Sequence, residues 1–223
     1  MKLPILCYHQ VAPLSEVGRR LNVEPATLQG HISFFRRRGF QFVRACEVPR
    51  SKGKSVCFTF DDAYVSTLTH GLEVLIKNNV TATFYAVPAL VGQSSSWDVA
   101  EAKPLAGWKQ LLEAQMKGFE IGNHTQTHAR LSQLSVEDQK NEWYRADEIL
   151  REKGYVPKSG CYPYGDCPPA SQAAVKELGY SCALAIDKWP GSIDPMRRAR
   201  LVIAYSDGVA KLLYRLYIRP YLP

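Results

Sequence analysis

Val56-Cys57-Phe58-Thr59-Phe60-Asp61-Asp62 is the stretch on which the fold turns. Five apolar, β-branched or aromatic residues suit a buried strand. The strand runs into two adjacent carboxylates, which are costly beside an apolar core unless a positive charge compensates them. Downstream, Ser66 is placed to cap a helix whose apolar face is Leu68, Leu72, Leu75 and Ile76. Thr81 to Val87 predicts the next strand. Trp108 to Lys117 predicts a helix ended by Gly118, and Phe119-Glu120-Ile121 the strand after it. Ser135 opens a longer helix with Trp143, Ala146, Ile149 and Leu150 on its inner stripe, ended by Gly154. Gly160-Cys161-Tyr162 predicts a strand, Pro168-Pro169 a helix start, and Tyr180 to Ile186 a further strand. Upstream, Met1 to His9 predicts the first strand. Repeated β-α alternation implies a parallel sheet covered by helices, which a barrel or an open doubly wound sheet satisfies equally.

At 223 residues, with no low-complexity linker and no internal repeat, the chain is expected to be one domain, 1–223. No apolar run approaches the roughly 20 residues of a membrane span, and no secretory signal precedes the first strand. A cytoplasmic or membrane-peripheral location is the expectation. Cysteines 7, 46, 57, 161, 167 and 182 form no Cys-x-x-Cys pair and several lie in apolar runs, so buried free thiols are expected rather than a zinc ribbon. The net charge is +7. Arg36-Arg37-Arg38, Arg197-Arg198-Arg200 and the tail contribute much of it and are taken as solvated basic faces. With no helix-turn-helix, finger or aromatic-interleaved basic repeat, no nucleic-acid partner is expected.

Three polar clusters follow predicted strands: Asp61-Asp62, His124 with His128, and Pro163-Tyr164-Gly165. Ligands of α/β folds bind at the carboxyl ends of strands, so the three should converge. Two imidazoles four residues apart and a carboxylate make an N,N,O donor set with open coordination positions.

Thr59-Phe60-Asp61-Asp62, His124-Thr125-Gln126-Thr127-His128 and Tyr162-Pro163-Tyr164-Gly165 together resemble the motifs of the polysaccharide deacetylase family (NodB-homology domains). The similarity runs from about residue 3 to about residue 190, with Ala82-Thr83-Phe84-Tyr85 and Gly118 to Gly122 in place between the motifs. The resemblance implies a distorted (β/α)7 barrel and removal of N-acetyl groups from an N-acetylated sugar or polysaccharide. It implies one divalent metal ion, zinc first and nickel, cobalt or iron as alternatives, on Asp62, His124 and His128. Asp61 would be the general base, the Tyr164 N–H would bind the oxyanion, and Pro163 and Gly165 would shape that loop.

Two departures stand out. Cys161 takes the place of an arginine that in many members orients the base, and no histidine follows His128 to act as the acid. Leu6-Cys7-Tyr8-His9-Gln10-Val11 resembles the opening strand of a circularly permuted, poly-N-acetylglucosamine deacetylase-like branch, which makes His9 the candidate acid. His31 and His70 are expected at the surface. Trp97, Trp108 and Trp189 are candidates to stack on sugar, Trp108 being better placed to begin a core helix. Asp187-Lys188-Trp189 resembles a later family motif only faintly. Residues 209–219 suit either a closing helix or a segment lying on an anionic membrane. The competing functions are an O-acetyl esterase, a deformylase of a lipid-linked sugar, a catalytically weak carbohydrate-binding relative, and a non-haem iron oxygenase.

Overall fold

The computed structural model describes residues 3–98, 101–187 and 191–221. Its strands are β1 Ile5–Tyr8, β2 Gln10–Val11, β3 Asn22–Val23, β4 Gln41–Val43, β5 Ser55–Phe60, β6 Thr83–Ala86, β7 Glu120–Asn123, β8 Ser159–Cys161, β9 Cys182–Ile186 and β10 Arg198–Val202. Strands β5 to β10 pair in sequence order and β10 pairs with β1. β1 then pairs with β5, Ile5 opposite Cys57 through Tyr8 opposite Phe60, and closes a parallel ring of seven strands. β4 lies alongside the first half of β5, and β2 pairs with β3 apart from the ring. The barrel expectation holds and the open sheet does not.

Period-two alternation decides which side chains enter the ring. Ile5, Cys57, Tyr85, Cys161, Cys182 and Leu184 pack together inside it. Leu6, Tyr8, Val56, Phe58, Phe60, Phe84 and Ile121 point outward and join the larger core beneath the helices. Tyr85 crosses the interior because the facing residue is Gly122, where a Cβ would lie 2.3 Å from its ring. The 3-10 stretch Ala45–Arg50 fills the amino-terminal mouth. There Glu120 accepts from the Cys46 N–H and from the Thr83 and Ser159 hydroxyls, and Cys182 Sγ donates to the Ala45 carbonyl. With that end filled, the carboxyl ends of the strands are left for chemistry.

The helices follow their local signals. Pro25–Arg37 and Pro169–Glu177 begin at proline, and Ser135 Oγ accepts the Asp138 N–H at 3.1 Å to start Val136–Glu152. Trp108–Met116 ends at Gly118, whose φ is 89°. Ser66 is a correction. It has helical dihedrals and its hydroxyl is buried without a partner among the described residues, because the helical segment already begins before it and passes through a π turn at Thr67–Gly71 into Leu72–Lys77. His31 is a second correction. It is buried on Pro25–Arg37 and shares a 2.9 Å hydrogen bond with the Tyr8 hydroxyl, because that helix turns this face onto β1. His70 is half-buried beside Glu16 at 2.9 Å. Four of the six cysteines are buried and all six are free thiols.

Residues 209–219 run through the helix Val209–Leu213 and the π-helical Tyr214–Ile218 that continues it to the start of the 3-10 segment Arg219–Tyr221, with Leu212 and Leu216 buried in the larger core and Tyr214 and Ile218 exposed. That is the geometry of a closing helix. Among the described residues no helix is long and apolar enough to cross a membrane.

Candidate active site

The three motif segments meet at one rim of the barrel. Asp61 and Asp62 leave β5, His124 and His128 follow β7, and Pro163–Gly165 follows β8. Seven described non-glycine residues have positive φ, and five of them, Asp62, Ala63, Thr125, His128 and Tyr164, lie in these segments. Backbone held so often in a disfavoured region marks loops shaped for side-chain placement.

His124 Nε2 and His128 Nε2 each lie 3.3 Å from Asp62 Oδ1, and all three residues are buried. A direct charge-assisted hydrogen bond would be shorter, about 2.7–2.9 Å. Donors about 2.0–2.1 Å from a tetrahedral ion stand about 3.3 Å apart, which is the spacing found. Among the described residues Asp62 Oδ1 is also buried without a hydrogen-bond partner. His124 Nδ1 is 2.8 Å from the Cys161 carbonyl, a contact that fixes the ring and leaves Nε2 to bind an ion. The residues present therefore fit a divalent cation. Burial pushes the Asp62 carboxyl up, but the neighbouring His124 and His128 imidazoles outweigh that and hold it well below the usual range.

Asp61 is positioned by a residue that the sequence did not single out. Arg200 on β10 is fully buried and grips Asp61 bidentately, Nη1 to Oδ1 at 2.6 Å and Nη2 to Oδ2 at 2.8 Å. This corrects the assignment of Arg197-Arg198-Arg200 to solvated faces. Arg200 sits on an inward-facing position of a barrel strand and continues to Thr59 Oγ1 at 3.1 Å and the Ala185 carbonyl at 3.3 Å. The small side chain of Cys161 leaves space for this guanidinium and lies 2.9 Å from it. Cys7 and Cys161 both donate to Asp61 Oδ2 at 3.3 Å. Burial pushes both thiols up, so they stay protonated. Burial also pushes the Asp61 carboxyl up, but Arg200 and His124 more than offset this and keep it ionised. The only sequence signal for Arg200 was the pair Arg198 and Arg200, two apart on one strand face.

His9 follows β1, and a ring nitrogen, Cys7 Sγ and an Asp61 oxygen lie within 4.8 Å of one another. Its Nδ1 is buried without a partner among the described residues. Pro163 is buried, and Tyr164 takes a φ of 57° with its side chain exposed. At Gly165, φ is 73° and a Cβ would lie 2.7 Å from the Ile186 nitrogen, so this turn accepts only glycine without strain. The Tyr164 ring meets His128 edge-on at 4.7 Å, and Arg130 covers the tyrosine at 4.1 Å. Trp97, another residue from the β6–β7 connection, stacks on His128 with centroids 3.9 Å apart. Trp108 packs on the main core as expected of a core helix start. Lys188 and Trp189 lie outside the described residues. Asp187 is 3.8 Å from Arg197.

Residues 49–183 match the family model described as polysaccharide deacetylase. A Bacillus subtilis strain 168 protein, YxkH, that carries a polysaccharide deacetylase name is 23% identical over 225 residues, covering 97% of this chain and 76% of YxkH. The peptidoglycan-N-acetylglucosamine deacetylase of Bacillus cereus is 31% identical over 128 residues, which is 56% of this chain and 42% of that protein. Among solved structures, Streptococcus pyogenes deacetylase PplD in complex with acetate superposes with a TM-score of 0.79 at 22% identity, over 97% of this chain and 98% of PplD. That likeness establishes the shared barrel.

Proposed function

The chain belongs to the polysaccharide deacetylase family, and from that premise we propose that it is a metal-dependent hydrolase that removes N-acetyl groups from an N-acetylated sugar or polysaccharide. One observation carries the reading. The Asp62, His124 and His128 donors converge at the spacing of a tetrahedral site around an orphaned carboxylate oxygen, with a second, separately held carboxylate next to it.

Asp62, His124 and His128 would hold the ion, zinc in the first instance. A divalent ion there supplies Lewis acidity and makes water nucleophilic near neutral pH. Asp61 takes the proton from the attacking water. Its Oδ2 is already shared by Arg200, Cys7 and Cys161, whereas Oδ1 meets Arg200 alone, so Oδ1 is the oxygen with a lone pair to spare. Arg200 keeps Asp61 ionised and fixes its plane. The backbone N–H of Tyr164, turned by Pro163 and Gly165, faces the oxyanion. His9 donates a proton to the leaving amine. Acetate and a free amino sugar leave. Arg200 and His9 supply, from the last and first strands, the two groups whose absence from their usual positions favoured a merely carbohydrate-binding relative.

The test joins metal analysis of the purified protein to acetate release from N-acetylglucosamine oligomers, with formate and O-acetyl xylan assays alongside. Asp61→Asn should abolish turnover and keep the metal, whereas Asp62→Ala and His124→Ala should lose both. Equal metal loss in Asp61→Asn would show the two aspartates exchanged in role. A protein that holds no divalent ion defeats the proposal.

A further inference from the structure

The two imidazoles of the site are held in different ways. His124 has its second-shell acceptor, the Cys161 carbonyl. His128 has none among the described residues, where its Nδ1 is buried without a hydrogen-bond partner. A histidine that binds an ion through Nε2 carries a proton on Nδ1, and an acceptor there normally sets the ring's orientation. With no acceptor, rotation about the ring torsion must be stopped by something else. In this chain it is stopped by aromatic surfaces. Trp97 stacks on His128 at 3.9 Å with an interplanar angle of 27°. The Tyr164 ring meets it at 65° and the His124 ring at 77°.

Building on the metal-site reading above, we propose that Trp97 is a positioning residue that holds the His128 imidazole in line for the ion, in place of the missing acceptor. The indole is itself anchored. Its Nε1 donates to the Tyr64 hydroxyl at 3.0 Å, and that hydroxyl donates to Asp98 at 2.7 Å. Ser95 Oγ also donates to Asp98, at 2.6 Å, and the Ser95 N–H donates to the Lys103 carbonyl at 2.8 Å. Tyr64 is buried, bridges to Leu105, and lies two residues after Asp62. The loop that presents the carboxylate ligand therefore also fixes the brace on the imidazole ligand. Trp97 acts on His128 by shape and stacking, and so phenylalanine should replace it in part and alanine should not.

The experiment measures zinc affinity by chelator competition, and the visible absorption of the cobalt(II)-substituted protein, for wild type, Trp97→Phe, Trp97→Ala and Tyr64→Phe. Thermal melts of the metal-free proteins serve as the folding control. Trp97→Ala should bind zinc about 10–100-fold more weakly, as loss of an outer-shell partner typically does, with altered cobalt bands. Trp97→Phe should recover most of the affinity. Tyr64→Phe, which keeps the ring and removes the anchor, should fall between, and it decides the matter if Trp97→Ala does not fold. Wild-type zinc affinity and cobalt bands in both Trp97→Ala and Tyr64→Phe would overturn the assignment. So would a raised KM for sugar with metal binding unchanged, since the indole would then serve the substrate. A wild-type protein that binds no ion would instead defeat the metal site itself.

Discussion

Replacing Arg200 by methionine strikes at a contact of the site that sequence reasoning missed. The guanidinium is fully buried and holds both oxygens of an equally buried Asp61. Methionine fills much of the same volume and leaves the carboxylate without its counter-charge. Removing one partner of a buried ion pair costs about 3–5 kcal/mol. At about 2–4 °C per kcal/mol for a chain of this size, the melting temperature should drop by about 6–20 °C. The melts are run in chelator, so that differences in metal binding do not enter. Asp61→Asn with Arg200→Met removes both charges together and should be more stable than the sum of the single changes by about 2 kcal/mol or more. Arg200→Lys restores the charge without the fork and should lie between. In the metal-loaded protein, Arg200→Met should lower kcat/KM by about 100-fold or more, because an unfixed base loses its general-base contribution. An Arg200→Met protein melting within about 1 kcal/mol of wild type, or a double variant no better than additive, would refute the reasoning.

His9→Asn should lower kcat on N-acetyl sugars by about 100–10,000-fold with unchanged metal content, yet keep activity on an aryl acetate whose leaving group needs no proton; equal losses on both substrates would remove His9 from the acid role. Burial pulls His31 from 6.5 down to about 4. The folded state thus resists its protonation, and the stability it contributes is complete above about pH 6.5 and lost as pH falls from there to about 4, for a total of about 3 kcal/mol. Urea titrations of wild type and His31→Gln across that window should differ in slope, and parallel curves would contradict the assignment. Gly165→Ala should lower kcat/KM by at least about 10-fold by shifting the Tyr164 N–H, with metal affinity unchanged; wild-type kinetics would show that the turn tolerates a side chain.

The parts of the site that were legible in the sequence share a property: their chemistry is local. Asp61-Asp62 and the His124/His128 pair announce themselves by costly polar groups placed just after apolar strands, and the structure brings them together as expected. His9 was found through its neighbours on the first strand and lies beside Asp61. Arg200 was not found because Arg197-Arg198-Arg200 was read as a run of charge and not as the start of a strand; β10 runs Arg198–Val202, and alternation along it sends Arg200 into the ring, where Asp61 meets it. His31 was misplaced for a related reason, since only the packing of its helix onto β1 makes that helix face interior. Ser66 was read as a cap because the helix start was judged from residue type, whereas the positive φ of Asp62 and Ala63 turns the chain into the helix sooner.

The seam between β1 and β5 has a consequence for how the molecule comes into being. β1 is flanked by β5, with Ile5 opposite Cys57, and by β10, with Leu6 opposite Leu201, so the ring is joined only when two segments far apart in sequence meet on either side of it. Without β10 in place Asp61 has no guanidinium to neutralise it, and burying it bare is forbiddingly expensive. Closure of the ring and neutralisation of Asp61 thus hang on the same stave.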